Sequence, residues 1–205
     1  MPSRRQLLLL GAGALAAGCG GDDDAREARQ VRAAADLELV RFLLRLERVE
    51  VAFWEQVSDR GVLTDAAGPE LAGQIARNER QHADALERWA RKLEGDGGER
   101  AKTDFTAIFA AGPEEVLRIA ATLENLAAAA YLGQLNRIQD RNLLAAMLGI
   151  HSVEGRQAAA INRLAGRGFS LGTGNLEGAL PDGAFAEPMS MADVDRELRR
   201  YTVAA

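Results

Sequence analysis

The 205-residue chain has one cysteine, two histidines and few aromatic residues. A single cysteine excludes a disulfide within the chain, zinc sites built from several thiolates and, once that cysteine is lipidated, thiol catalysis. No basic stripe accompanies the formal net charge of −5, which excludes nucleic acid as a partner. Only 5% of the residues are aromatic, while 47% are hydrophobic and 27% charged, a balance that favours an all-α protein.

The first nineteen residues, MPSRRQLLLLGAGALAAGC, have the features of an export signal. Two arginines precede an apolar run that is too short to span a bilayer. SRRQLLL resembles a twin-arginine export signal, and LAAGC resembles a lipoprotein signal ending at a lipidated Cys19, although Ala16 stands where a larger aliphatic residue is usual. We expect an extracytoplasmic lipoprotein anchored to the membrane of the cell envelope, with residues 20–30 as a polar tether. A plain secretory signal with an incidental Cys19 is the alternative.

Apolar residues recur at helical spacing in four long segments. Gly and Pro residues mark several of their ends. The predicted helices span about 25–59, 68–94, 113–139 and 141–165, and together define a bundle over residues 31–165. The remaining tail, 166–205, is rich in Gly and Pro and carries one short predicted helix at about 191–200.

The lengths of the connections predict the topology. The first and second helices are joined by a short connection, as are the third and fourth, so each pair is expected to form an antiparallel hairpin. The link between the pairs, 95–112, is longer. Two hairpins joined by a longer crossover are one arrangement of a four-helix bundle.

Every predicted helix interrupts its packing face with at least one carboxylate. These residues are Glu47 and Glu50 in the first helix, Glu79 followed by His82 in the second, Glu124 in the third, and Glu154 in the fourth, flanked by His151 and Gln157. Burying a charge is costly unless another group compensates it. The pattern therefore indicates a shared site rather than independent surface residues, although pairing of single glutamates with arginines is the simpler alternative for any one of them.

An internal repeat relates the two hairpins. Glu47 is followed seven residues later by Trp54. Glu124 is likewise followed seven residues later by Tyr131. Glu79 lies 32 residues after Glu47, and Glu154 lies 30 residues after Glu124. Glu50 has no counterpart in this repeat, so Glu47 is the preferred candidate ligand of the first helix.

Four carboxylates converging in a dry bundle repel one another unless cations neutralise them. Two divalent ions balance four carboxylates. The spacing of Glu79 and His82 places both on one helix face, about one turn apart. Oxygen-rich ligation with one or two nitrogens suits iron, or manganese, better than structural zinc.

These motifs resemble the ferritin-like superfamily, in which two helices each give one Glu to a di-iron site and the other two each give Glu-x-x-His. More closely, the chain is similar to bacterial exported ferritin-like domain proteins, which often carry a C-terminal stretch like LPDGAFAEPMSMADVDREL. The resemblance covers about 30–198 and implies a ferritin-like four-helix bundle. It also implies two Fe ions as cofactor, Mn being the alternative, and reaction of Fe(II) with O2 or peroxide in the manner of a ferroxidase.

The resemblance also implies roles for the candidate residues. Glu47 and Glu124 would be terminal ligands, Glu79 and Glu154 bridging ligands, and His82 a nitrogen ligand. Gln157 stands where the second His is expected, which puts the second metal in doubt. Further candidates, as ligands or as groups that orient ligands, are Gln157, His151, Glu50, Trp54 and Tyr131. Two rival interpretations are a non-catalytic envelope protein with a degenerate site, acting as a binding or stress-associated module, and an iron-sequestering protein without turnover.

Overall fold

The computed structural model describes residues 21–64, 68–166 and 187–203. The all-α prediction is confirmed. The elements of this part of the chain are α1 Gly21–Arg60, α2 Gly68–Lys92, α3 Thr106–Ala111, α4 Pro113–Gln134, α5 Arg141–Leu164, α6 Met191–Leu198 and the short strands β1 Lys102–Thr103 and β2 Thr202–Val203.

Two helical hairpins form the bundle, as the short connections predict. α1 packs along α2, and α4 packs along α5. Gly61, with φ +59°, follows the end of α1 in the left-handed conformation that glycine adopts easily. Asp140 caps α5, where its side chain accepts hydrogen bonds from the backbone N–H groups of Asn142 and Leu143.

The core of the molecule is centred on α1, which contacts α2, α4 and α6. This arrangement explains why apolar residues cover a wide arc of α1 instead of a narrow stripe. Residues of α1 that are at most 3% exposed include Phe42, Leu43, Leu44, Leu46, Phe53, Trp54 and Val57. The glutamates of α1 therefore lie inside a packed interior.

The third long helix is shorter than predicted. α4 ends at Gln134, and a single 3-10 turn, Leu135–Arg137, continues to an extended Ile138. The apolar pattern runs on through this turn, so periodicity alone does not reveal where the helix stops. The corner is held by buried Asp36, whose carboxylate accepts hydrogen bonds of 2.8 Å from the backbone N–H groups of Gln139 and Asp140.

The crossover between the hairpins contains β1 and α3, which the sequence pattern did not predict. Its aromatic residues pack on the first helix. The rings of Phe105 and Phe109 lie 5.2 and 5.9 Å from the ring of Phe53, measured between centroids. The crossover is therefore anchored to the core near the end of α1.

The C-terminal segment packs on the bundle through a helix and a strand. The predicted short helix is present as α6, capped by Ser190, whose side chain accepts from the backbone N–H of Asp193. Val194, Leu198 and Tyr201 are buried against the bundle. β2 pairs antiparallel with β1, so the end of the described chain is joined to the crossover.

Parts of the expected organisation lie outside the described residues. These are the signal, with Cys19, and residues 167–186 of the tail. The stretch expected as a tether, 20–30, is helical from Gly21 onward and continues into α1. Its Ala, Glu and Arg content explains this, because these residues favour helix. Across the described ranges, none of the helices combines the length and the apolar character needed to cross a membrane.

Candidate metal centre

Four helices bring five carboxylates and one imidazole together inside the bundle. The groups are Glu47 and Glu50 from α1, Glu79 and His82 from α2, Glu124 from α4 and Glu154 from α5. All five glutamates are 0% exposed, and His82 is 7% exposed. The predicted packing faces thus meet at one place, and the acids are fully removed from water.

The oxygen and nitrogen atoms fall into two groups that could each hold a metal ion. The first group comprises Glu47, Glu79, His82 and Glu154, and the second comprises Glu50, Glu124 and Glu154. Within each group the ligand atoms lie within 4.8 Å of one another. Glu154 belongs to both groups, so one carboxylate is shared between them.

His82 faces three carboxylates with a single nitrogen. Its Nδ1 lies 2.8 Å from Glu154 Oε1, 3.3 Å from Glu79 Oε2 and 3.6 Å from Glu47 Oε2. None of these contacts is aligned as a hydrogen bond. Burial alone would lower the pKa of His82, but the three carboxylates, Glu154 first, raise it by more.

Burial, and after it mutual repulsion, raises the pKa values of the clustered carboxylates. Burial raises the pKa of Glu47 from 4.5 to about 7, although nearby His82 holds part of that rise back. Burial also raises the pKa values of Glu50, Glu124 and Glu154 well above 4.5, and repulsion between neighbouring carboxylates adds to each rise. Pairing of every carboxylate with a cationic group would lower these pKa values, and His82 is the one cationic side chain of the cluster, so the cluster could hold further cations such as metal ions.

Many polar atoms of the cluster have no hydrogen-bond partner among the described residues. Nine buried side-chain nitrogen and oxygen atoms among the described residues lack a hydrogen-bond partner, and seven of them belong to the cluster. The seven are Glu47 Oε2, Glu50 Oε1 and Oε2, Glu79 Oε2, His82 Nδ1, and Glu154 Oε1 and Oε2. Buried polar groups are normally paired, and this donor set fits divalent metal ions.

Two aromatic residues hold the carboxylates that lie across the bundle from them. Trp54 on α1 donates its indole N–H to Glu124 Oε1 on α4 at 2.5 Å. Tyr131 on α4 donates its hydroxyl to Glu47 Oε1 on α1. In each case only one carboxylate oxygen accepts this hydrogen bond. The aromatic residue therefore orients the acid without occupying its other oxygen.

Comparison with known families agrees with this geometry. The sequence matches the family described as "Ferritin-like domain" over residues 35–167, well over half of the chain. The chain belongs to this family. No curated protein matches it. The ferritin-like domain spans most of α1 and the whole of α2, α4 and α5, and it contains every residue of the carboxylate cluster.

Gln157 closes one side of the ferritin-like centre as a hydrogen-bond donor. Its Nε2 donates to Glu79 Oε1 at 2.5 Å and to Glu124 Oε2 at 3.2 Å. Its Oε1 accepts from Asn78 Nδ2 at 2.6 Å. Because the amide oxygen accepts from Asn78, the side chain presents its N–H groups to the centre in this structure.

Glu50 is the main difference between the sequence pattern and the structure. The repeat between the hairpins favours Glu47 over Glu50, yet the structure brings both carboxylates into the cluster. The sequence spacing did indicate Glu50 as a ligand, since a residue three positions after Glu47 lies on the same helix face. The internal repeat argued against Glu50, because the second hairpin has no acid at the matching position.

His151 lies apart from both groups of candidate ligand atoms. It is about half buried, and burial lowers its pKa, while a contact with the backbone carbonyl of Ala128 acts in the opposite direction. The second nitrogen ligand expected from the resemblance is therefore not supplied by His151 in this structure.

Proposed function

We propose that this ferritin-like domain binds two metal ions, iron in both positions, and oxidises Fe(II) with O2 or peroxide. The observation that carries the proposal is the set of seven buried polar atoms without a hydrogen-bond partner, divided between two ligand groups that share Glu154. Oxygen-rich ligation with one nitrogen suits iron or manganese.

Charge balance supports a role in oxidation. Two divalent ions supply four positive charges against the five buried carboxylates. One divalent and one trivalent ion would balance all five. The additional carboxylate, Glu50, therefore favours the higher oxidation state, as a centre that oxidises iron requires.

The residues of the chain have distinct tasks in this proposal. The carboxylates and His82 would hold the ions, with Glu154 shared between the two positions. Trp54 and Tyr131 fix the orientations of Glu124 and Glu47, and complete burial keeps bulk water from the acids. Bound iron would supply the electrons that reduce O2 or peroxide, chemistry that the side chains alone cannot perform.

The proposed location is the cell envelope, with the chain anchored through lipidated Cys19. Support comes from the two arginines, the short apolar run and the cysteine in the first nineteen residues. Membrane fractionation of the full-length chain and of its Cys19→Ser variant tests this part. The proposal requires the wild type in the membrane fraction and the variant released from it.

Metal content per chain tests the central claim. Full-length protein purified from iron-supplemented cells is compared with the variants Glu50→Gln and Glu154→Gln. The control variant is Glu55→Gln, whose side chain lies at the surface of α1, the helix that carries Glu50. We expect two ions in the wild type and the control, one in Glu50→Gln, and the loss of both in Glu154→Gln. A folded, helical wild type without metal would refute the proposal.

Gln157 favours one other function, a non-catalytic ferritin-like protein whose centre has lost its metals. Its neutral amide already donates hydrogen bonds to Glu79 and Glu124. These bonds stabilise the two carboxylates in part, as a bound cation would. Gln157→His distinguishes the two functions. Metal binding that appears only in this variant would identify a degenerate site, whereas metal in the wild type rules out that alternative.

A further inference from the structure

A cavity of about 360 Å³ opens on the surface between α2 and α5, and His82 forms part of its wall. Among the six residues of the cluster, the five glutamates are fully buried and His82 is 7% exposed. The cavity therefore meets the centre at its imidazole. Asp84 and Arg88 line it from α2, while Gly149 and Val153 line it from α5.

The line along which α2 and α5 face each other, called the seam below, is closed on one side of the centre and open on the other. The two helices touch at fewer points than the helices within either hairpin do. Asn78 and Gln157 join across the seam with a hydrogen bond of 2.6 Å. One turn further along α2, at His82, the facing residues of α5 include Gly149, which has no side chain to fill the gap.

We propose that metal ions and the small oxidant reach the buried centre through this cavity, past the His82 imidazole, and that Gly149 keeps the route open. The inference rests on the proposed function of the same centre. The species that must reach the centre are small, namely a divalent cation and a molecule the size of O2 or peroxide. Asp84 gives the cavity a carboxylate that attracts a divalent cation.

Gly149→Phe should obstruct the route, and α5 offers a matched control. A Cβ added at Gly149 or at Gly155 meets no atom within 4 Å, so either substitution can be accommodated. Both glycines are exposed in the same helix, but only Gly149 lines the cavity. Gly155→Phe therefore reproduces the change in helix propensity and surface character without blocking the seam.

The experiment follows Co(II) loading of the full-length metal-free protein by stopped-flow absorption. We expect Gly149→Phe to load about tenfold more slowly than wild type, a change of about 1.4 kcal/mol in the barrier, and to reach the same final stoichiometry. Gly155→Phe should load like wild type. Gly149→Leu, a smaller obstruction, is measured in parallel and should fall between wild type and Gly149→Phe.

Each other outcome overturns the inference. Gly149→Phe and Gly149→Leu loading as fast as wild type, with normal stoichiometry, would refute the route and leave the metal centre intact. Equal slowing in Gly155→Phe would show that the effect is not specific to the cavity. A wild type that binds no Co(II) or Fe(II) would refute the metal centre itself, and with it the route.

Discussion

Trp54 on α1 donates a hydrogen bond of 2.5 Å to Glu124 on α4, and the reverse relationship holds between Tyr131 on α4 and Glu47 on α1. Each donor lies seven residues after the glutamate of its own helix, which is about two turns and hence the same face. Each hairpin therefore orients the carboxylate of the other hairpin. The internal repeat in the sequence corresponds to a reciprocal pair of hydrogen bonds in the structure.

Removing the Tyr131 hydroxyl should weaken metal binding more than it weakens the fold. In Tyr131→Phe the ring remains, but Glu47 loses the donor that fixes its orientation. Loss of such a supporting partner is expected to weaken metal affinity about 10- to 100-fold. Isothermal titration with Fe(II) or Co(II) measures the change. Tyr201→Phe, in the C-terminal segment, is the matched control, and equal affinities in the two variants would contradict the assigned role of Tyr131.

The metal-free protein should lose stability as the pH rises from about 5 to about 8. Burial raises the pKa of Glu47 from 4.5 to about 7 and those of Glu50, Glu124 and Glu154 well above 4.5. In this range the folded state thus binds more protons than the unfolded state, so the free energy of unfolding falls with increasing pH. The raised pKa of His82 acts in the same direction.

Thermal unfolding in the presence of a chelator measures this pH dependence. The lowered pKa values of exposed Asp96 and Asp140 add stability only below this pH range. The lowered pKa of half-buried His151 opposes the trend, but it is one group against four buried glutamates and His82. Glu50→Gln should show a shallower decline, because one buried titrating group is gone. With metal bound the trend should invert, since the ions replace protons. A metal-free melting temperature that rises over this range would contradict the raised pKa values.

Substitution of Gly133 should detach the C-terminal segment from α4. A Cβ at this position would lie 2.0 Å from the backbone oxygen of Met189, which also accepts a hydrogen bond from the Gln134 side chain. Gly→Ala in a helix interior is normally stabilising, but here we expect Gly133→Ala to destabilise the protein by about 1–3 kcal/mol through overpacking. Chemical denaturation, together with limited proteolysis of residues 187–203, measures the effect.

Gly155→Ala is the control for this substitution, since a Cβ there meets no atom within 4 Å. It should leave the protein unchanged or slightly more stable. Proteolysis of residues 187–203 at the same rate in Gly133→Ala and in wild type would show that the close approach of Met189 is not needed for docking of the segment.

The helical spacing of apolar residues determined most of the fold. Periodicity predicts the four long helices, and the short connections within each pair predict the hairpins, because neither feature depends on distant residues. The spacing also places the glutamates on packing faces. It could not locate the end of α4, where apolar residues continue into the 3-10 turn and buried Asp36, more than a hundred residues away along the chain, holds the corner.

Only the tertiary structure decided which polar groups meet at the centre. Helical periodicity fixes the face of a residue within its own helix, but the depth and rotation of that helix against its neighbours depend on packing. Packing brings Glu50 into the cluster and leaves His151 outside it. It also turns the Gln157 amide oxygen toward Asn78, 79 positions away in the sequence. The sequence by itself determined a four-helix bundle with acids on its inner faces, and long-range packing decided how those acids, their hydrogen-bond donors and the open seam beside His82 are arranged.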